Sequence, residues 1–196
     1  MKLPRAEVLT YEQIVRLAQE FALVWNPASE IPVNIEHIVE QVGLNIVPIP
    51  SLKMAFDVDG FLTMDMTEIK VDQEVMMTSE VRYRFTLAHE LAHYVLHAEA
   101  FRDIKISSVD EWFIFHTQLE DEWFEKQANW FAGALLVPKA DLLKKYESAL
   151  AAADLAGADV SEMSTHSKMT MAASIAESFN VSARVVYIRL EKLGLY

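Results

Sequence analysis

Cysteine is absent from the 196 residues of this chain. Disulfide bonds and thiolate metal ligands are therefore excluded. A chain without cysteine is consistent with a reducing compartment, and we expect the protein to be cytoplasmic.

Long apolar runs are absent as well. The first 13 residues contain no apolar stretch that would serve as a signal peptide. The purely apolar runs extend over only a few residues, as in "FALVW" at 21–25, whereas a helix that spans a bilayer needs about 20. We therefore expect no association with a membrane.

Positive charge is scarce. The chain has 17 lysines and arginines against 29 aspartates and glutamates, which gives a formal net charge of −12. Proteins that bind nucleic acids obtain much of their affinity by neutralising phosphates, so direct binding of nucleic acid is not expected. Hydrophobic residues make up 52% of the chain, enough for one sizeable core and a small appended unit.

Periodicity and capping residues predict an α+β fold. Three short β-type runs predict a small, mostly antiparallel sheet at 44–50, 60–66 and 68–72. Helices are predicted at 11–25, 35–42 (between a cap at Asn34 and a stop at Gly43), 79–97, 119–136, 139–146, 171–180 and 182–193. We expect a domain at 1–147 and a C-terminal helical extension at 148–196, in which 148–168 is a loop or weak helix.

The segment "FTLAHELAHYVLH" at 85–97 carries three histidines spaced by four residues, and its residues 89–93 match the pattern H-E-x-x-H. Helical residues four apart differ by about 40° in azimuth and about 6 Å in height, so the imidazoles of His89 and His93 can reach one ion. Glu90 lies near that ion but not on it, where a general base belongs. Chance would produce roughly 0.02 such matches in a chain of this composition. The pattern therefore predicts a zinc site at the two histidines, with Glu90 as the catalytic base.

The third histidine of this segment, His97, lies about 12 Å along the helix from His89, too far for both to bind one ion. A position near the C-terminus of the helix, where the dipole favours a cation, explains His97 better. It is predicted not to be a ligand.

A catalytic zinc site needs a third protein ligand and an open position. The histidines outside the segment are His37, His116 and His166. Four carboxylates crowd the helix predicted at 119–136, namely Glu120, Asp121, Glu122 and Glu125. The last three share one face, which is either a solvated acidic surface or a ligand with supporting groups. The apolar residues at 128–136 favour the second interpretation slightly, because they imply that one side of this helix packs inward.

The C-terminal residues 171–193 read as two helices joined by a tight turn, as in a helix-turn-helix. One interpretation is DNA contact, and the other is a helix pair that packs on the rest of the chain or contacts a protein substrate. The segment has only a slight excess of positive charge, which is too small to bind phosphates strongly, and this favours the second interpretation.

Two stretches together resemble the ImmA/IrrE family of metallo-endopeptidases: "RFTLAHELAHYVLH" at 84–97 and "EKQANWFAGALLVP" at 125–138. The ending "SIAESFNVSARVVYIRLEKLGL" resembles the usual ending of the family. The resemblance implies a minimal zincin-like metallopeptidase domain in which Zn²⁺ is bound by His89, His93 and Glu125, and Glu90 is the catalytic base. Glu122 is the alternative to Glu125 as third ligand. Tyr94, His116 and His166 are candidates, by residue type only, for the group that stabilises the tetrahedral intermediate.

Several members of that family cleave a helix-turn-helix repressor and so release phage, mobile-element or stress genes. The resemblance therefore implies that the partner of this chain is a protein substrate, such as a transcriptional repressor. The alternative is a non-catalytic, metal-stabilised module that binds a repressor or an antitoxin. Glu90 distinguishes the two, because a purely structural zinc site closes its fourth position and needs no poised base.

Overall fold

The computed structural model describes residues 4–106, 108–118, 122–157 and 163–196. In these residues a small sheet is surrounded by helices, which confirms the predicted α+β class. The strands are β1 (Asn45–Ile49), β2 (Gly60–Leu62) and β3 (Glu68–Asp72). The helices are α1 (Tyr11–Trp25), α2 (Ile35–Gln41), α3 (Leu52–Phe56), α4 (Gln73–Thr78), α5 (Glu80–Phe101), α6 (Val109–Gln118), α7 (Glu122–Leu136), α8 (Lys139–Leu155), α9 (Thr165–Glu177) and α10 (Ala183–Lys192).

The first two helices begin and end where their capping residues predict. Thr10 and Gln13 form a reciprocal capping box at the start of α1. The Asn34 side chain accepts a hydrogen bond from the His37 N–H at the start of α2. Gly43 follows this helix with φ of +91°, a left-handed conformation that favours glycine.

The sheet is mixed, with strand order β1-β3-β2. β3 pairs antiparallel with β2 but parallel with β1, so the prediction of a mostly antiparallel sheet was wrong for one of the two pairings. The central place falls to β3 because its Ile69 and Val71 are fully buried. Pro48, which lacks a backbone N–H, lies on the edge strand β1.

Helix α5 is longer than predicted, since it continues past His97 to Phe101. Phe101 is buried and its ring packs on those of Phe115 and Phe124, so the last turn is held by side chains from α6 and α7. His97 therefore lies a full turn inside the helix rather than at its end.

Helices α5 and α7 pack directly against each other and position the candidate site. Their fully buried residues include Ala88 and Ala92 on α5, and Ala128 and Ala132 on α7. Such small side chains permit a close approach of the two backbones. The described part of the helix predicted at 119–136 is α7, while residues 119–121 lie outside the described ranges.

The stretch predicted as a loop or weak helix at 148–168 is helical at both of its ends. Helix α8 continues to Leu155 and α9 begins at Thr165, while residues 158–162 lie outside the described ranges. The alanine-rich run at 149–153 explains the extension of α8, because alanine has the highest helix propensity. The division of the chain between 147 and 148 falls inside α8 and stays a prediction.

The last two helices pack on each other and on the rest of the chain. Their apolar side chains belong to the main core, where Ile175, Phe179, Val186 and Leu190 are buried. Arg189 is also buried, and it donates hydrogen bonds to the Tyr11 hydroxyl and to the carbonyl oxygen of Val137. Packing therefore accounts for the helix pair. No helix within the described ranges is long and apolar enough to cross a membrane.

Candidate metal centre and active site

Three side chains predicted as ligands meet at one point between α5 and α7. Their ligand atoms, on His89, His93 and Glu125, all lie within 4.8 Å of one another. The His89 Nε2 is 3.1 Å from Oε2 of Glu125, the His93 Nε2 is 3.5 Å from Oε1, and the two nitrogens are 3.1 Å apart. Ligands at zinc distances in a tetrahedron are about 3.3 Å apart. The two imidazoles and the carboxylate therefore form a possible metal-binding cluster.

The structure separates Glu125 from the other carboxylates of its helix. Glu125 turns toward the two histidines, whereas Glu122 is exposed and outside the cluster. The remaining two members of the acidic group, Glu120 and Asp121, lie outside the described residues. Glu122 and Glu125 are three residues apart, so they lie about 60° apart around the helix and about 4.5 Å apart along it. Of the two, the packing of α7 on α5 brings Glu125 to the histidines.

The cluster combines a carboxylate that stays ionised with a histidine that stays neutral. Burial raises the pKa of Glu125, but hydrogen bonds from His116 and His89 outweigh this and hold the pKa well below its usual range. Burial, together with the charge of His89, lowers the pKa of His93. Burial also lowers the pKa of His89, but its hydrogen bond to Glu125 reverses the shift and leaves the pKa raised. A divalent cation at this point would replace the proton held between His89 and Glu125.

Beside the cluster, Glu90 lies in a buried position against the sheet. Its Oε2 accepts a hydrogen bond of 2.9 Å from the backbone N–H of Leu62 on β2. Burial raises the pKa of Glu90 to about 7. Such a carboxyl group takes up and releases a proton near neutral pH, as a general base requires.

The non-ligand nitrogens of both histidines are held by a second layer of side chains. The Nδ1 of His89 is 3.2 Å from Oδ1 of Asn129 on α7. The Nδ1 of His93 is 3.1 Å from Nδ1 of His97, whose Nε2 is 3.2 Å from Oε1 of Gln127. The Gln127 amide in turn donates to the carbonyl oxygen of Glu7.

A ligand role of His93 would fix the proton positions along this series of hydrogen bonds. If its Nε2 faces the metal, its Nδ1 carries the hydrogen and donates to Nδ1 of His97. His97 must then carry its own hydrogen on Nε2, which donates to Gln127. His97 lies outside the metal-binding cluster, but the explanation by the helix dipole was wrong, because α5 continues to Phe101. Its side chain is 3% exposed and lies within hydrogen-bond distance of His93, whose ring it orients.

The other residues named from the sequence are dispersed. His116 on α6 stacks on Trp112 and lies 3.6 Å from Glu125, at the margin of the cluster. His37 and His166 are exposed and outside the cluster. Tyr94 packs against the main core. Of the three candidates for stabilising the intermediate, His116 is the one that lies beside the cluster.

A cavity of about 290 Å³ opens over the cluster. Its walls come from β2 and the turn that follows it, from α5 and from α6, and they include Leu62, Phe101, Trp112 and Phe115. Sequence reasoning missed Asn129 and Gln127, although the four-residue spacing of Glu125 and Asn129 on α7 could have indicated that both face α5.

A comparison with protein families agrees with this site. The model of the peptidase M78 family, described as the IrrE N-terminal-like domain, matches residues 39–191 and so includes the sheet, α5, α7, α9 and all but the last residue of α10. No curated protein matches the chain. The matched segment includes all three residues of the metal-binding cluster, and this cluster fits a metallopeptidase. The chain therefore belongs to the peptidase M78 family of IrrE N-terminal-like domains.

Proposed function

We propose that this protein is a zinc-dependent endopeptidase that cleaves a specific protein, such as a helix-turn-helix transcriptional repressor. One observation carries the proposal: the buried Glu90 lies directly beside the cluster of His89, His93 and Glu125. A purely structural metal site would have no use for a buried carboxyl group whose pKa is near 7.

The residues divide the chemistry between them. His89, His93 and Glu125 would hold zinc, which when bound supplies a Lewis acid that polarises the scissile carbonyl group and makes water more acidic. Glu90 accepts a proton from the attacking water and then donates it to the departing amine. The N–H of Leu62 holds one oxygen of Glu90, which leaves the other free for this transfer.

The sheet supports an extended substrate. β2 is an edge strand, and its Gly60 and Leu62 line the cavity over the cluster. A peptide in an extended conformation can add to such an edge through backbone hydrogen bonds. Methylation of the backbone N–H groups of a substrate peptide, which removes these donors, should weaken both peptide binding and cleavage. If both survived unchanged, the edge would not be the binding surface.

The metal is tested by mass spectrometry of purified wild-type protein and of the Glu125→Ala and Glu122→Ala variants. We expect about one zinc per wild-type chain, lost in the first variant and kept in the second. Zinc retained by Glu125→Ala would exclude this carboxylate as a ligand. No zinc in the wild type, even after zinc is supplied, would refute the proposed function.

The activity is tested on a repressor encoded beside this gene, with cleavage followed by mass spectrometry of the fragments. Glu90→Gln keeps the size of the side chain and its acceptor for the Leu62 N–H, so this variant should retain zinc. Its turnover should fall by a factor on the order of 10²–10⁴ because the base is lost. If zinc is bound and the repressor forms a complex but is never cut, the protein is the metal-stabilised binding module instead.

A further inference from the structure

A second and larger cavity continues from the candidate active site. This groove runs between α5, α7 and α10 and has a volume of about 980 Å³. It shares Asp59, Phe85 and Glu125 as wall residues with the smaller cavity over the cluster. A chain held over the cluster can therefore continue into the groove without leaving the surface of the protein.

The groove is rich in cations although the protein as a whole is acidic. Its basic side chains are Arg82, Lys126, Arg184 and Arg189, and its acidic ones are Asp59, Glu122 and Glu125. Two of the acids are engaged elsewhere, since Asp59 pairs with Arg82 and Lys53, and Glu125 belongs to the cluster.

Two of the cations are available to a ligand. Lys126 and Arg184 are exposed, and no acidic side chain in the described ranges lies within ion-pair distance of either. Glu122 precedes Lys126 by one helical turn and is exposed. In a chain of net charge −12, two cations at one groove that have no acidic partner among the described residues point to an anionic ligand.

Aromatic rings hold part of this positive charge in place. The Lys126 Nζ lies 4.3 Å from the ring centre of Trp123 and 5.1 Å from that of Trp130. Lys192 is not a wall residue, but its Nζ lies 5.5 Å from the same Trp130 ring and 5.6 Å from that of Tyr11, and both rings line the groove. Cations that rest on rings lose less freedom when a ligand binds than freely rotating lysines do.

The N-terminus of α10 adds to the positive electrostatic potential of the groove. Ser182 occupies the N-cap of this 10-residue helix, but its side chain caps no backbone N–H. Ser182 and Arg184 both line the groove. The partial positive charge of a helix N-terminus favours carboxylates, so the uncapped end and the Arg184 side chain act on the same ligand.

The distance from the cluster to the far part of the groove can be measured along α7. Gly133 lines the groove and follows Glu125 by eight residues on α7, which is about 12 Å of helix. A β-carbon at Gly133 would lie 3.8 Å from Val185 and 3.7 Å from Arg189, so this level of α7 faces α10. An extended peptide covers the same distance in about four residues.

We infer that this groove binds an acidic segment of the polypeptide substrate, whose carboxylates lie within about five residues of the cleaved bond. The inference rests on the proposed function and narrows its substrate class. Cleavage and substrate selection are then carried out by two separate parts of the protein. The cluster with Glu90 cleaves the peptide bond, and the groove with Lys126 and Arg184 selects the acidic segment.

The test measures binding without cleavage. The zinc-loaded Glu90→Gln variant is titrated into two fluorescein-labelled pools of short peptides, followed by anisotropy. The pools have equal length and random uncharged residues, and they differ only in glutamate or glutamine at fixed positions of one half. We expect the glutamate pool to bind roughly fivefold tighter or more, and this preference to disappear in the Lys126→Glu/Arg184→Glu variant.

The control variant is Lys139→Glu/Lys145→Glu, which makes the same change in net charge on the exposed face of α8, away from both cavities. It should keep the preference. If the double reversal in the groove unfolds the protein, the single variants Lys126→Gln and Arg184→Gln should each lose part of the preference.

Four results would overturn the inference: equal binding of both pools, an equal loss in the control variant, a preference that vanishes when zinc is removed with EDTA, or a labelled DNA duplex that binds tighter than the peptides through the same two residues. Because no turnover is needed, the inference can hold for a protein that cuts nothing. It can also fail for an active peptidase.

Discussion

The layer of side chains behind the cluster permits a sharp prediction at His97. In the His97→Leu variant, a side chain of similar size but without polar atoms replaces the imidazole. Two buried groups then lose their partner, the Nδ1–H of His93 and the Oε1 of Gln127. Each buried polar group left unpaired costs about 1–3 kcal/mol, so the metal-free variant should be less stable by about 2–6 kcal/mol in total.

The same substitution should weaken zinc binding. His93 loses the group that fixes its tautomer and the orientation of its ring. The loss of such an outer partner costs about 10–100-fold in metal affinity, or roughly 1.4–2.7 kcal/mol. Stability is measured by urea unfolding of the metal-free protein, and affinity by competition for zinc with a chromophoric chelator.

A matched variant separates the two effects. In His97→Asn an amide oxygen can lie near the position of Nδ1 and accept from His93, while nothing reaches Gln127. This variant should therefore recover much of the zinc affinity but little of the stability. If His97→Leu loses stability and keeps its zinc affinity within about twofold, His97 is a core residue without influence on the metal. If the asparagine variant binds zinc as weakly as the leucine variant does, the hydrogen bond at Nδ1 is not the cause.

Three further outcomes are expected. Gly60→Ala should lower the free energy of unfolding by about 1–3 kcal/mol, because its β-carbon would lie 2.7 Å from the Thr86 methyl group on α5 and 2.8 Å from a carbonyl oxygen of β3; an unchanged urea midpoint would show that β2 can move away freely. Asp72→Ala should cost about 2 kcal/mol, because this carboxylate accepts hydrogen bonds from the N–H groups of Lys53 and Val75. Burial raises the pKa of Asp72, but the backbone hydrogen bonds lower it by more, so the pKa lies below its ordinary value. The stabilisation is therefore fully present above the ordinary pKa of about 3.9 and is lost as the pH falls through the lowered pKa. Urea unfolding at neutral and at acidic pH should thus show a smaller difference between wild type and Asp72→Ala in acid, and an equal difference at both would contradict the assignment. Removal of the metal with EDTA should lower the thermal midpoint by an amount equivalent to about 2.7 kcal/mol when free zinc had been at 100 times its dissociation constant, and the Glu125→Ala variant, which lacks the site, should not respond.

Much of the local structure followed from short-range patterns. Helix α1 and the capped α2 begin and end as predicted because their capping groups lie within a few residues in the sequence. Helix α5 was predicted to end at His97 and continues to Phe101, because the apolar partners of its last turn come from α6 and α7. The pairing of β1 with β3 was missed for a similar reason, since strand order depends on which strand the core buries most completely.

The sequence by itself determined that His89, His93 and the neighbouring Glu90 lie together, because the spacing of residues on one helix turns directly into distances in space. Only the tertiary structure decided which carboxylate joins them, since that choice depends on how α7 is rotated against α5. It also decided the surroundings of His97, because the hydrogen-bond partner of this histidine, Gln127, is 30 residues away along the chain. Contacts within a helix are set by periodicity, whereas contacts between helices are set by the packing of the whole core, and no short stretch of sequence contains that information.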